Sequence, residues 1–165
     1  MDITKLELQD PIIKIASSKT ELQQLLISLR ALNTDKSVVQ IFDPEKIVNK
    51  IHIIGAYANA TLVFENGTNK TKSMAMEMLL FAAMTDQIET ALDITGAKTN
   101  SKFILFSNDG HLLKRISELV NIEEDFNPSS KQMLSSAKAI GINANNEDMD
   151  NYLLQKMALS RLSSD

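Results

Sequence analysis

Apolar residues recur along this chain with two periods. Short apolar runs at Ile12–Ala16 (IIKIA, after Pro11), Val38–Phe42 (VVQIF, rich in β-branched residues) and Lys102–Ser107 (KFILFS) predict strands. Between them the spacing is helical. Thr20 caps a helix that turns Leu22, Leu25, Leu26 and Leu29 to one side. Asp43-Pro44 predicts the start of a long helix reaching Asn66-Gly67, with Ile47, Ile51, Ile54, Ala58 and Leu62 as its stripe. Ser73 caps a Met-rich helix. Thr85 interrupts it and caps a short helix through Leu92, which Gly96 ends. Asn108 or Asp109 opens a helix with Leu112, Leu113, Ile116, Leu119 and Val120 inside. Asn127-Pro128 opens another that closes at Gly141, and Asn146-Glu147-Asp148 starts the last. The pattern predicts one α+β domain over residues 1–165: a small mixed sheet of three to four strands packed with six or seven helices. The strands are too few and too scattered for a doubly wound nucleotide fold.

Two segments depart from plain amphipathic patterning. MAMEMLLFAAM, from Met74 to Met84, holds one polar side chain, Glu77, among ten apolar ones. A buried carboxylate is costly unless it is hydrogen-bonded. The backbone N–H groups that open the next helix, Thr85–Gln87, are its expected partners, and a structural role is preferred over a catalytic one. The last helix, MDNYLLQKMALSRL, is apolar on three sides: Leu153 with Met157, Leu154 with Ala158 and Leu162, and Tyr152 with Leu159. A helix apolar all round is buried or partnered. Partner contact through Leu153, Leu154, Met157 and Leu162 is the expectation, and such a surface can also pair with its own copy when the partner is absent.

Composition narrows the chemistry. The chain has 165 residues, 44% of them hydrophobic, and no cysteine, which removes disulfides, zinc–thiolate sites and thiol nucleophiles. No basic stretch followed by an apolar run marks a signal peptide, and MLLFAAM is far shorter than the roughly 20 residues of a membrane span. A soluble, cytoplasmic protein is expected, with no membrane partner and use of the sequons at Asn59, Asn66 and Asn69 discounted. Lack of cysteine and short length lean towards an archaeal source. The five glycines make neither a dinucleotide fingerprint nor a phosphate loop. His52 and His111 are isolated from metal-ligand spacing and are expected at the surface or half-buried. Asp109-Gly110-His111 follows a strand and reads as a turn and helix cap. An enzyme with Glu77, Asp109 and His111 in one small-molecule pocket is the alternative. A net charge of −4 argues against bulk electrostatic binding of nucleic acid. Locally, Lys46 and Lys50 (one helix face at i, i+4), with Lys70 and Lys72 in the following loop, make a basic cluster that reads first as ordinary solvated lysines and second as an RNA contact. With 5% aromatic residues, a base-stacking platform is not expected.

The segment Ser73–Lys98, SMAMEMLLFAAMTDQIETALDITGAK, resembles the signature of the small kinase-binding subunit of the KEOPS complex, the CGI/TPRKB-like family. Met76-Glu77, Gln87-Ile88, Ala91 and Gly96 match that pattern. The strand KFILFS followed by a helix, the closing QKMALSRL, and the upstream helix with His52 and Ala60 are similar as well. One departure matters: Asp86 stands where the family often has arginine before Gln-Ile. The resemblance implies an α+β protein without catalytic residues, cofactor or metal. It implies a subunit that docks on an atypical small kinase/ATPase, promotes its activity, and helps hold tRNA by its 3′ CCA end for threonylcarbamoyladenosine modification. Glu77, Gln87, Ile88 and Gly96 are then structural motif residues.

Overall fold

β-branched residues alternate faces in a strand, and the three apolar runs pair accordingly. A computed structural model describes residues 10–143 and 148–162. The strands are β1 (Ile12–Ser17), β2 (Val39–Phe42), β3 (Phe103–Ser107) and β4 (Asn121–Asp125), in the order β2-β3-β1-β4. Every ladder is antiparallel, where a mixed sheet was expected. The helices are α1 (Leu22–Arg30), α2 (Lys50–Glu65), α3 (Met74–Ala83), α4 (Ile88–Thr95), α5 (Leu113–Ser117), α6 (Ser130–Ala139) and α7 (Met149–Ser160). The α+β class therefore holds, with four strands and seven helices among the described residues.

The chain groups into two units. The first holds the sheet with α1 and α5. One sheet face, carrying Ile12, Ala16, Val39, Ile41, Phe103 and Leu105, packs with Leu25 and Leu29 of α1 and with Ile116 and Val120. Glu21, rather than Thr20, caps α1, accepting from the Gln23 N–H at 3.0 Å. The start expected at Asn108 or Asp109 becomes a 3-10 turn, Gly110–Leu112, and only then the short α5. Strand β4 was not expected. Its sequence, NIEED, has one apolar residue, and it lies largely exposed at the sheet edge, where charge discourages further strand pairing.

The second unit holds α2, α3, α4, α6 and α7. Helix α2 packs against α3 and α7. It is apolar nearly all round, and His52, Ile53 and Gly55 through Ala60 are all buried. The stripe expected from Ile47 to Leu62 is only in part its inner face: Ala58 is buried, but Ile51 and Ile54 are half-buried, Leu62 is exposed, and Ile47, though buried, lies before the helix. Nor does α2 start at Asp43-Pro44. Asn49 is the cap, accepting from the His52 N–H at 3.0 Å, and the Val48 N–H is taken by the His52 ring. Asn59 lies buried in mid-helix and donates to the Gly55 carbonyl, so it offers no glycosylation site. Gly67 and Gly141 take the left-handed conformation expected of helix stops. Ser129, with Gln132, closes a capping box at the start of α6. Asn146 and Glu147, the expected start of α7, lie outside the described residues.

Candidate interaction surfaces around the central carboxylate

Ser73 caps α3 by accepting from the Met76 N–H, which places Glu77 in the first turn of that helix. Glu77 is fully buried. Its Oε1 accepts from the backbone N–H groups of Lys70 (2.5 Å) and Thr71 (2.7 Å), and its Oε2 accepts from Arg161 Nη2 at 2.6 Å. The expected partners at Thr85–Gln87 are not the ones used. Thr85 Oγ1 accepts from the Gln87 N–H instead, leaving the loop before α3 as the source of amides for the carboxylate. Arg161, at the C-terminal cap of α7, also stacks over the Phe81 ring, 4.5 Å from its centre. Both carboxylate oxygens are thus engaged by the fold, an arrangement that orients and compensates a charge.

The same loop is pinned from outside. Lys70 Nζ lies 3.0 Å from Asp86 Oδ2, and Gln87 Nε2 donates to Asp86 Oδ1 at 3.2 Å. The Lys70 bond first, and Gln87 next, hold the Asp86 carboxyl below the usual carboxylate range. Gln87 is the N-cap residue of α4 without a capping side-chain bond. Gly96, after α4, is required by space: a Cβ there would stand 2.6 Å from the Leu92 carbonyl oxygen.

The four lysines do not form one cluster. Lys46 lies in the turn before α2 and Lys50 is its first residue, so they share no helix face. Helix α2 then runs 16 residues, about 24 Å at 1.5 Å per residue, before the loop with Lys70 and Lys72 begins. Only Lys70 and Lys72, both exposed, remain as a local basic pair.

The last helix is likewise divided. Leu153 and Met157 are fully buried, with Met149, as its inner face. They are core residues and present nothing to a partner. Leu154 is half-buried and, with Met157, fills the space over Gly55 of α2. Leu159 (56%) and Leu162 (68%) are exposed. A second apolar pair was missed in the sequence: Ile88 (45%) and Leu92 (42%) lie one turn apart on α4, flanked by exposed Glu89 and Asp93. Ile88 is therefore a surface residue of the motif. The i, i+4 spacing was available as a signal, but nothing local said that this face is outward. Arg161 was missed because its partner is 84 residues away.

The remaining polar candidates have other roles. His52 is fully buried, where a surface or half-buried position was expected. Its Nδ1 accepts from the Val48 N–H at 3.0 Å, and Nε2 lies 2.9 Å from the Ala82 carbonyl, an arrangement that fits the neutral ring with its proton on Nε2. Burial lowers its pKa to about 4. Asp109 Oδ1 accepts from the His111 N–H (2.9 Å) and meets His111 Nδ1 at 3.0 Å, while Oδ2 accepts from Ser37 Oγ at 3.2 Å. The backbone bond from His111 is the main cause holding the Asp109 carboxyl below its usual range. This is the turn and cap expected. Among the described residues, no three His, Asp or Glu side chains are grouped to hold a metal ion, and no helix is long and apolar enough to cross a membrane.

The family model of the kinase binding protein CGI-121 matches residues 14–161, nearly the whole chain. The chain belongs to the CGI-121 family of kinase binding proteins. No curated protein matches it in sequence. As a CGI-121 member it is a protein whose partner is a kinase.

Proposed function

We propose that this CGI-121 protein is a non-catalytic accessory subunit of a KEOPS-type assembly in the cytoplasm. It docks on the atypical small kinase/ATPase, raises its activity, and helps recruit tRNA by the 3′ CCA end for threonylcarbamoyladenosine modification. The observation that carries the reading is the family match across residues 14–161. It is supported by a motif helix, α4, that turns Ile88 and Leu92 outward beside Glu89 and Asp93. Two apolar side chains inside an acidic rim suit a protein surface with an apolar recess edged by basic groups. Glu77 supports the non-catalytic reading, since the fold itself occupies both of its oxygens. On the RNA side the reading rests on Lys70 and Lys72 alone, a small patch on an acidic protein. Strong RNA binding therefore belongs to the assembly rather than to this subunit by itself.

Titration against the small kinase from the same genome, reading complex formation and ATP hydrolysis together, tests the proposal. A one-to-one complex with raised hydrolysis is expected. Two folded proteins that ignore each other would overturn it. Light scattering of this chain alone over a concentration series would then ask whether the exposed leucines pair copies of the chain with each other.

A further inference from the structure

The loop between α2 and α3 carries Lys70 and Lys72, and three interactions shape it from within the helical unit. Glu77 takes the amides of Lys70 and Thr71, Asp86 takes the Lys70 ammonium, and Asn69 Nδ2 closes on the Thr71 carbonyl at 2.8 Å. The first of these depends on a residue far along the chain. Glu77 is wholly buried, and a buried carboxylate without a counter-charge is strongly unfavourable. Arg161 supplies that charge at 2.6 Å while its own side chain is only 13% exposed. The guanidinium carbon lies 4.5 Å from the centre of the Phe81 ring, and its Nη2 meets Oε2, leaving Oε1 to the two amides.

We propose that Arg161 is a positioning residue for the Lys70–Lys72 loop: acting through Glu77, the C-terminal turn of α7 sets the conformation in which that loop meets an anionic partner. Arg161 is too enclosed to be the contact itself. Its neighbours Leu159 and Leu162 are exposed, so a protein bound to them grips the chain within two residues of the guanidinium. Where binding there displaces Arg161, the protein and the loop's anion change each other's affinity by the same factor. The choice of RNA as the anion rests on the proposed function; the Arg161–Glu77–loop relation does not.

Amide hydrogen exchange on the full chain separates the two. In the wild-type protein the Lys70 and Thr71 amides are expected to exchange slowly for a surface loop. In Arg161→Gln they are expected to exchange at least ten times faster, while amides in the middle of α3 keep their protection. Arg161→Lys, which keeps the charge within reach of Glu77, is expected to restore most of the protection. Unchanged exchange at Lys70 and Thr71 in Arg161→Gln overturns the proposal. If Arg161→Gln loses protection everywhere, Arg161→Lys decides: loop amides that stay fast in a globally protected Arg161→Lys protein also overturn it. A second readout uses a short single-stranded RNA ending in CCA. A positioning role predicts weaker binding in Arg161→Gln with an unchanged salt slope, rescued by lysine. A slope shallower by about 1 would instead make Arg161 a direct phosphate contact and overturn the positioning role. Wild-type protein, alone and in the kinase complex, that ignores the RNA while the exchange pattern holds would refute the RNA reading and leave the latch intact.

Discussion

A Cβ placed on Gly55 of α2 would stand 2.6 Å from the Cε methyl of Met157 on α7, and 2.7 Å from Leu154 Cδ2. The two helices approach this closely because position 55 has no side chain. Both opposing atoms are ends of flexible side chains, but Met157 is fully buried and has little room to move. Gly55→Ala is expected to change stability by no more than about 1 kcal/mol, because better helix propensity offsets the crowding. Gly55→Val should cost about 2 to 3 kcal/mol by overpacking. Urea denaturation of both variants checks the ordering, and a harmless valine would mean that the helices part easily.

The division of α7 predicts opposite outcomes for neighbouring leucines. Leu153→Asp buries an unpaired carboxylate in the core and should cost about 3 kcal/mol or more, so any loss of kinase binding in it would reflect unfolding. Leu162→Asp lies on the exposed side and should leave the unfolding midpoint almost unmoved.

On α4 the separation of stability from binding is sharper. Ile88→Asp and Leu92→Asp are expected to change stability by about 0.5 kcal/mol or less. Each should weaken kinase binding at least tenfold, as read by calorimetry or by pull-down with purified proteins. Unaltered affinity in both would move the docking face elsewhere, with the exposed leucines at the end of α7 next in line.

His52 predicts a pH dependence. Its folded pKa of about 4 lies below the ordinary 6.5 because the ring is buried. The unfolded chain therefore takes up the proton first. The stability held by the neutral ring is complete above about pH 6.5, declines as the pH falls, and flattens below about 4. The shift corresponds to roughly 3 kcal/mol at about 1.4 kcal/mol per unit. The lowered carboxyls of Asp86 and Asp109 have the same sign but act at lower pH, below the ordinary carboxylate value. Urea unfolding at pH 7, 5.5 and 4.5 should show the decline, and His52→Gln should remove most of it.

Asp86→Arg reverses the charge at this position and releases Lys70 from its 3.0 Å bridge. Binding of CCA-ended RNA should tighten, and its salt slope should steepen by about 1 to 2 as one or two further phosphates are neutralised. An unchanged slope would take the α2–α3 loop out of the RNA contact.

The strands rich in β-branched residues were legible in the sequence to within a residue or so, as were the Ser73 cap and the stops at Gly67 and Gly141, because each rests on local chemistry. Strand β4 was not. NIEED has no strand alternation, and its pairing comes from β1, more than a hundred residues earlier. The start of α2 was misplaced because Asp43-Pro44 is a strong local signal, whereas Asn49 gains its advantage from the Val48–His52 contact behind it. At the site, a buried, hydrogen-bonded Glu77 was legible, yet its partners were not. The amides of Lys70 and Thr71 lie on the other side of it from the helix start that proximity suggested, and Arg161 carries no mark of its role. Periodicity said that α7 was apolar all round; only packing could say that Leu153 faces in and Leu162 faces out.

The Arg161–Glu77 pair also imposes an order of events during synthesis. The two residues are 84 positions apart, so at about 5 to 20 residues per second the ribosome makes the guanidinium roughly 4 to 17 seconds after the carboxylate it neutralises. Through that interval α3 can be made but not sealed. Within the helical unit, the charge that balances Glu77 is made after α2, α3, α4 and α6.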